Sequence, residues 1–302
     1  MSISFKDKVA IVTGAGGGLG RTYSLELARR GAKVVVNDLG GTRDGTGHSD
    51  AALKVVEEIR AAGGEAMSNG GNVAEYGQME EMVAKAKEAW GTIHILINNA
   101  GILRDKTFIK MEPADFELVV RVHLLGSAFA TKAVWETMRE QNYGRILMTT
   151  SSTGVGGNFG QANYGAAKMG LVGLAKTLHL EGAKYNIRVN SLAPTAGTRM
   201  TEDIFPEEAY KAFSPENVVP AALFLVSGDA PSNAIVGAGG GVCQSFFVTM
   251  NEGVLLDESE RTVEGFAAQW TKISDRTGDV VIQNGTEQAM HAMGMLQKAA
   301  EK

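Results

Sequence analysis

Near its N-terminus the chain reads Val9-Ala10-Ile11-Val12-Thr13-Gly14-Ala15-Gly16-Gly17-Gly18-Leu19-Gly20. The first four residues are apolar, as in a short strand that is buried on both faces of a parallel sheet. Glycines follow at once and lead into a helical pattern that continues to about Arg30. A strand, a glycine-rich turn and a helix in this order predict the first unit of an α/β fold.

The sequence repeats this alternation of apolar runs and helical patterns. Further strands are predicted at Lys33–Asp38, Glu65–Ser68, Ile93–Ile97, Arg145–Thr149 and Arg188–Leu192. The helical patterns cover about 49–62, 75–90, 113–142 and 163–185. Regular alternation of strands and helices predicts an α/β fold with a doubly wound, Rossmann-type parallel sheet that helices cover on both faces.

After Pro194 the alternation becomes irregular. Residues 195–215 contain two prolines and several charged and aromatic side chains, which is typical of a mobile loop on the substrate side. We predict next a helix at Pro215–Ser227, a glycine turn at Gly237–Gly241 and a last strand at Val242–Thr249. Residues 1–250 should form a single domain. Residues 251–302, with helices near 262–275 and 286–300, should form a C-terminal extension packed on it.

Composition and charge narrow the class of function. The chain has 302 residues and a net charge of −5, and its basic residues are scattered, which disfavours nucleic acid or an anionic membrane as partner. No apolar run approaches the roughly 18 residues of a transmembrane helix, and a strand at Val9 leaves no room for a secretory segment. The single cysteine, Cys243, excludes an internal disulfide and suits a reducing compartment. We therefore expect a cytoplasmic protein.

The glycine turn after the first strand suits a pyrophosphate, because glycines let the ligand approach the backbone N–H groups of a helix N-terminus. Its spacing matches the usual G-x-G-x-x-G pattern only loosely, so an ordinary glycine-rich loop is the alternative. Asp38 follows Gly14 by about 24 residues, at the end of the second strand, where a carboxylate accepts hydrogen bonds from ribose and repels a 2′-phosphate. This position favours NAD over NADP. Arg43, in the next loop, is the opposing feature.

Tyr164 and Lys168 stand four residues apart in a predicted helix and therefore share a face. A phenol titrates near pH ~10, and a fixed cation beside it favours the phenolate and lowers that pKa. The pair is suited to move protons, although an ordinary amphipathic face has the same spacing. Ser151 and the turn Asn98-Asn99-Ala100-Gly101 favour the functional interpretation, because both follow predicted strands, where ligands of α/β proteins bind.

Together these motifs resemble the short-chain dehydrogenase/reductase family over about residues 1–245. The residues that carry the resemblance are Thr13-Gly14, Gly18, Gly20, Asn98–Gly101, Ser151, Tyr164, Lys168 and Ala193-Pro194. Within the family the chain is similar to the (3R)-hydroxyacyl-CoA dehydrogenase part of peroxisomal multifunctional enzyme type 2, also called 17β-hydroxysteroid dehydrogenase type 4, here as a stand-alone bacterial-type chain. The similar stretches are Val36–Gly41, Gly101–Asp105, Arg121–Leu124, Gly157–Gln161 and Leu180–Asn186.

The resemblance implies a role for individual residues. Tyr164 is the general acid/base, Lys168 lowers its pKa and binds the nicotinamide ribose, and Ser151 holds the substrate oxygen. His123 joins this catalytic group at the position where the family usually has an asparagine of the proton relay. No metal is implied. The implied NAD-binding residues are Gly14, Gly18, Leu19, Gly20, Asp38, Asn72, Val73, Asn99, Ala100, Gly101, Tyr164, Lys168 and Pro194.

The implied reaction is the oxidation of a secondary alcohol by NAD. The substrate that the resemblance favours is a 3-hydroxyacyl-CoA of fatty-acid or steroid side-chain β-oxidation. The alternatives are a 3-oxoacyl-carrier-protein reductase, which Asp38 disfavours, a 17β-hydroxysteroid dehydrogenase, and a non-catalytic nucleotide-sensing scaffold. A scaffold is expected to lose the Tyr164 and Lys168 pair. We expect a homodimer or homotetramer, and a separate enoyl-CoA hydratase acting upstream, since the 302 residues contain no hydratase or sterol-carrier part.

Overall fold

The structure, a computed structural model, describes residues 3–198 and 207–301. The chain divides into two compact units, Met1–Phe246 and Phe247–Lys302. Part of the predicted loop at 195–215 lies outside the described residues.

An eight-stranded sheet lies at the centre of the first unit. Its spatial order is β3-β2-β1-β4-β5-β6-β7-β8, with the first seven strands parallel. The strands are β1 (Val9–Thr13), β2 (Lys33–Asn37), β3 (Glu65–Asn69), β4 (Ile95–Asn98), β5 (Gly144–Thr149), β6 (Ile187–Pro194), β7 (Ile235–Gly239) and β8 (Val242–Phe246). The predicted doubly wound fold is confirmed. Successive strands are added on one side of β1 up to β3 and on its other side from β4 onward. Ligands of such sheets bind where the strand order reverses, at the carboxyl ends of β1 and β4.

Helices cover both faces of this sheet. One apolar core includes Leu27, Val55 and Leu223 from three helices, and the core on the opposite face includes Met82, Val134 and Leu171 from three others. The helices of the first unit are α1 (Gly18–Arg29), α2 (Ala51–Ala61), α3 (Tyr76–Trp90), α4 (Pro113–Val120), α5 (Gly126–Glu140), α6 (Ser152–Gly156), α7 (Ala162–Gly182), α8 (Glu207–Ala212) and α9 (Val219–Leu225).

The end of the sheet differs from the prediction. Ile235–Gly239 is strand β7 rather than part of a turn, and only Gly240 and Gly241, with φ of +57° and +81°, make the turn. The last strand, β8, then returns antiparallel to β7 and ends at Phe246 rather than Thr249. A Cβ at Gly239 would lie 2.4 Å from the carbonyl oxygen of Thr195. Glycine is therefore needed for close packing inside a strand, which hides the strand from an apolar pattern.

The predicted helix at 113–142 contains a π-helical segment, Arg121–Leu125, between α4 and α5. Such segments occur frequently at functional sites. By length and composition Pro113–Glu140 also meets the requirements of a membrane span, contrary to the expectation from apolar runs. However, Ala130, Val134 and Met138 are fully buried in the core beside the sheet. The buried core helix of a folded domain meets the same requirements.

The second unit contains a small two-stranded sheet and short helices. Strands β9 (Thr249–Met250) and β10 (Val280–Val281) pair antiparallel. The helices are α10 (Val263–Ala268), α11 (Trp270–Ile273) and α12 (Glu287–Ala300). The helices predicted near 262–275 and 286–300 are confirmed, with the first one divided in two.

Candidate active site

A cleft of about 320 Å³ opens at the carboxyl ends of β1 and β4. Most of the predicted NAD-binding residues line it: Gly14, Gly18, Leu19, Asp38, Asn72, Val73, Asn99, Ala100 and Gly101. Sequence reasoning missed other lining residues, among them Asn37, Ile102, Arg121, Val122 and Thr198. Arg121 and Val122 directly precede His123, so their position beside that predicted site residue was the available signal. Asn37 directly precedes Asp38 at the end of β2.

The glycine turn owes its shape to contacts below it. Gly14 has a φ of +63°, and a Cβ there would lie 2.6 Å from Cα of Ala100. A Cβ on Gly20 would lie 2.3 Å from the carbonyl oxygen of Gly14. Gly14 therefore lets the turn approach the β4 loop, while Gly20 lets α1 pack beneath the turn. Both requirements are those of a nucleotide-binding turn.

Asn99 holds the glycine turn through its side chain. Its Nδ2 donates to the carbonyl oxygens of Thr13 at 3.1 Å and Gly14 at 3.0 Å. In return, the N–H groups of Asn99 and Ala100 donate to Thr13 Oγ1 at 3.0 and 3.1 Å. The sequence analysis treated Thr13 only as part of the glycine motif. In the structure its hydrogen bonds with Asn99 and Ala100 also join the end of β1 to the loop after β4.

Asp38 is bonded to the glycine turn as well. Its Oδ2 accepts from Gly16 N–H at 2.7 Å and its Oδ1 accepts from Gly40 N–H at 2.7 Å. A carboxylate oxygen accepts more than one hydrogen bond, so both oxygens retain capacity for the hydroxyls of a ribose. Arg43 contributes its carbonyl oxygen to the N–H of Leu103 at 3.0 Å. The residues of the cleft therefore fit the adenosine half of a nicotinamide dinucleotide.

Asn72 and Pro194 complete the predicted set. Asn72 lines the cleft, and its Oδ1 accepts from Ala74 N–H at 3.0 Å, which shapes the loop after β3. Pro194 is the last residue of β6, opposite Ala238 of β7. Thr198, four residues beyond Pro194, lines the cleft.

The predicted catalytic side chains Ser151, Tyr164 and Lys168 come together at the ends of β5 and α7. The Ser151 hydroxyl accepts from Thr153 N–H at 3.1 Å and lies near enough to the Tyr164 phenol to lower its pKa. Nζ of Lys168 lies 5.4 Å from the centroid of the Tyr164 ring and donates to the carbonyl oxygen of Thr149 at 2.5 Å. The structure therefore brings a phenol, a hydroxyl and an ammonium close together.

Burial dominates the electrostatics of this group. It raises the pKa of Tyr164 to about 12, although the Ser151 hydrogen bond lowers that pKa, and the negative charge of Asp105 raises it further. Burial also lowers the pKa of Lys168 to about 7. The net shift of the phenol pKa is opposite to the one expected from the Tyr-Lys spacing. The reason is that burial of the phenol raises its pKa by more than the Ser151 hydroxyl lowers it.

His123 lies in the π-helical segment and is almost completely buried. Its ring meets the Tyr164 ring edge to face, with the centroids 5.2 Å apart. Its Nε2 lies 3.0 Å from the nitrogen and 2.8 Å from the carbonyl oxygen of Ile102, so either tautomer makes a hydrogen bond there. Burial and then the charge of Lys168 lower the pKa of His123 to about 3. The imidazole is therefore neutral at ordinary pH.

Gly101 is needed because of His123. A Cβ at Gly101 would lie only 2.2 Å from Cε1 of the imidazole. The backbone of the β4 loop thus packs directly on the ring. Among the described residues, no hydrogen-bond partner reaches the buried Nδ1 of His123, and no cluster of three or more His, Cys, Asp or Glu is arranged to hold a metal.

The chain is similar to known proteins in sequence and in fold. Residues 8–209 match the family described as short chain dehydrogenase, and the chain belongs to the short-chain dehydrogenase/reductase family. It is 49% identical over 275 residues to a short-chain type dehydrogenase/reductase of Mycobacterium tuberculosis, across 90% of this chain and 96% of that protein.

Two solved structures are similar in fold. Full-length peroxisomal multifunctional enzyme type 2 from Drosophila melanogaster matches with a TM-score of 0.81 and 34% identity, over 99% of this chain and 50% of that one. The chain thus spans about half the length of that enzyme. A 7α-hydroxysteroid dehydrogenase complexed with NADH and 7-oxo glycochenodeoxycholic acid matches with a TM-score of 0.71 and 29% identity, over 79% of this chain and 95% of that one.

The predicted family, fold and class of enzyme are confirmed. The protein is an oxidoreductase of the short-chain dehydrogenase/reductase family, whose members act with a nicotinamide cofactor.

Proposed function

We propose that the protein oxidises the 3-hydroxyl group of a 3-hydroxyacyl-CoA to the ketone, with NAD as hydride acceptor. The observation that carries the chemistry is the grouping of Ser151, Tyr164 and Lys168, with Nζ of Lys168 5.4 Å from the centroid of the phenol ring and the Ser151 hydroxyl near enough to lower the pKa of the phenol. The substrate class is supported by the likeness to the dehydrogenase part of multifunctional enzyme type 2.

In this proposal each side chain has one task. Ser151 holds the substrate hydroxyl, Tyr164 takes its proton, and Lys168 binds the ribose and stabilises the phenolate. NAD supplies a hydride acceptor and, in its oxidised form, a positive charge near the site. His123 stays neutral and supports Ile102 and the Tyr164 ring. Because the pKa of Tyr164 is raised to about 12, oxidation should become faster as the pH rises.

Asp38 supports NAD rather than NADP. Asp38 lines the cleft and its two oxygens accept from Gly16 and Gly40 N–H, so a 2′-phosphate would meet a fixed negative charge. We expect a higher kcat/KM with NAD and a narrowed preference in Asp38→Ala. Asp50→Ala, an exposed position before α2, is the control. Equal or better turnover of the unmodified enzyme with NADP would refute the cofactor assignment.

The substrate is tested with a panel of alcohols. It contains both enantiomers of 3-hydroxyacyl-CoA esters of increasing chain length, hydroxysteroids and 3-hydroxyacyl carrier protein, each assayed with NAD and NADP. The proposal predicts the highest kcat/KM for a 3-hydroxyacyl-CoA. A higher value for a hydroxysteroid would favour the second candidate, a hydroxysteroid dehydrogenase, which the similarity to the 7α-hydroxysteroid enzyme supports. A preference for carrier protein with NADPH would favour a reductase.

The same proposal includes the setting of the reaction. A separate enoyl-CoA hydratase would supply the 3-hydroxyacyl-CoA, in the cytoplasm, to a homodimer or homotetramer of this chain. Light scattering after size-exclusion chromatography measures the assembly. A coupled assay with an added hydratase and a trans-2-enoyl-CoA should produce NADH only when both enzymes are present.

A further inference from the structure

A chain of hydrogen bonds connects a surface carboxylate to Ser151. Nε2 of Gln161 donates to Oδ2 of Asp105 at 2.7 Å. Oγ1 of Thr153 donates to Oε1 of Gln161 at 3.0 Å, and the N–H of Thr153 donates to Oγ of Ser151 at 3.1 Å. This series of hydrogen bonds thus links the loop after β4, the residue before α7 and the first turn of α6.

The Gln161 side chain has only one orientation that satisfies these partners. A carboxylate only accepts, so the NH₂ group of Gln161 must face Asp105. The carbonyl oxygen then accepts from Thr153 and also from Nδ2 of Asn158 at 3.0 Å. Gln161 is buried, and a buried amide that loses its partners is costly. The hydrogen bonds that join Asp105, Gln161 and Thr153 therefore hold the Gln161 side chain in one orientation.

A second set of bonds joins the same two segments. Asn163, which is fully buried, donates through Nδ2 to the carbonyl oxygen of Arg104 at 3.0 Å and accepts from Tyr164 N–H at 2.7 Å. The N–H of Lys106 donates to the carbonyl oxygen of Gly160 at 3.0 Å. Residues 104–106 are thereby bonded to the start of α7 on both sides of Gln161, next to the Tyr164 backbone.

We infer that Gln161 and Asp105 are positioning residues, which hold the Ser151 hydroxyl and residues 104–106 in register with Tyr164. The inference rests on the proposed function, because it takes Ser151 and Tyr164 as the reacting pair. Neither residue needs to touch the reacting atoms. Their contribution is to orientation, where small displacements of a catalytic group cost large factors in rate.

The charge of Asp105 adds an effect on pH. The groups that face Tyr164 are the Ser151 hydroxyl, the Lys168 ammonium, the neutral His123 ring and the Asp105 carboxylate. Of these, Asp105 raises the pKa of the phenol through its negative charge. Asp105→Asn keeps an acceptor for Gln161 but removes the charge. The rising limb of kcat/KM against pH should therefore move to lower pH.

The test is an exchange of the two polar groups. Gln161→Glu places a second carboxylate against Asp105, and Gln161→Leu removes the hydrogen bonds of the Gln161 side chain. Each variant should therefore lower kcat roughly tenfold or more. In the double variant Asp105→Asn/Gln161→Glu, the new amide donates to the new carboxylate, while Thr153 and Asn158 still find an acceptor. This variant should regain most of the lost kcat, and the affinity for NAD should change little throughout.

The control is Gln141→Leu. Gln141 makes a similar set of amide hydrogen bonds, to the carbonyl oxygens of Ile93 and Tyr143, just before the amino ends of β4 and β5. It should lose stability without losing kcat. All rates are measured on the best secondary alcohol of the panel, so a wrong substrate class would change the proposed function and leave this comparison intact. Full kcat in Gln161→Leu, or no recovery in the double variant, would overturn the inference.

Discussion

At Lys168 one side chain meets two opposing requirements. The proposed reaction needs an ammonium beside Tyr164, while the site that holds the lysine excludes water and lowers its pKa to about 7. A charge that is buried with one carbonyl partner, Thr149, costs stability because protein hydrogen bonds replace hydration only in part. Lys168 therefore lowers the free energy of unfolding while it serves the proposed reaction, and such a loss of stability is common in active sites.

The cost of burying Lys168 should be visible in how the free energy of unfolding depends on pH. Below pH 7 folded and unfolded chains both hold the Lys168 proton. Between pH 7 and the ordinary lysine value of 10.5 only the unfolded chain holds it, so the free energy of unfolding should rise with pH. Lys168→Met should abolish activity, remove this rise and stabilise the protein below pH 7, by on the order of a few kcal/mol at most. Urea unfolding from pH 6 to 10 measures it.

Lys132→Met, an exposed change on α5, is the matched control and should leave the slope unaltered. If Lys168→Met showed the same pH slope as the unmodified protein, the lysine would not be the buried titrating group.

Tyr164 carries the proton transfer in the proposed mechanism. Tyr164→Phe keeps the ring and its packing on His123 but removes the acid/base, so kcat should fall by roughly 10²–10⁴ with little change in NAD affinity. Ser151→Ala should lose less, because it withdraws one hydrogen bond and leaves the base. Steady-state kinetics with NAD titration separate these effects. Tyr76→Phe on α3 is the control, and near-normal turnover of Tyr164→Phe would place the chemistry elsewhere.

At the scale of elements, the π-helical segment Arg121–Leu125 determines what His123 does. It directs a buried, neutral imidazole at Ile102, with Gly101 packed against the ring. A group whose pKa is about 3 does not gain a proton in the working range. The segment therefore supports the β4 loop, and any part of His123 in a relay has to proceed through a neutral ring.

This role predicts a difference between two substitutions. His123→Ala leaves the polar groups of Ile102 unpaired and opens a cavity, so it should cost about 2–5 kcal/mol of stability and lower kcat. His123→Asn retains a polar group and should keep more of both. The midpoint of the pH-rate profile should stay the same in His123→Asn, whereas the cavity in His123→Ala exposes the Tyr164 phenol to water and should move the midpoint to lower pH. A shifted midpoint in His123→Asn would contradict this supporting role.

At the scale of the whole molecule, a buried and a half-buried histidine make the fold sensitive to acid. Burial lowers the pKa of His94 to about 4 and that of His123 to about 3, against an ordinary value of 6.5. Below pH 6.5 these histidines bind protons in the unfolded chain but stay neutral in the folded chain. The free energy of unfolding therefore falls as the pH falls. The double variant His94→Asn/His123→Asn should lose stability less steeply between pH 6.5 and 4.

Chemical denaturation at several pH values measures this slope. His48→Asn, in an exposed loop, serves as the control and should reproduce the unmodified slope. An equally steep loss in the double variant would assign acid sensitivity to other groups.

Much of the fold was predictable because its signals are local. Runs such as Val9–Val12 and helical periodicity define most strands and helices, and the four-residue spacing places Tyr164 and Lys168 on one face. Strand β7 was missed because Gly239 packs closely against Thr195, a contact that is made by a distant part of the chain. The π-helical segment was missed for a similar reason, since its residues continue an ordinary helical pattern.

The sequence by itself determined the order of elements, the family and the identity of the polar residues at the strand ends. Only the tertiary structure decided how those residues act. It joined Asn99 to Thr13 across 86 positions and Gln161 to Asp105 across 56. It also removed water from Tyr164, Lys168 and His123. Desolvation depends on atoms that distant segments bring together, so the direction of each pKa shift was set by packing and not by spacing along the chain.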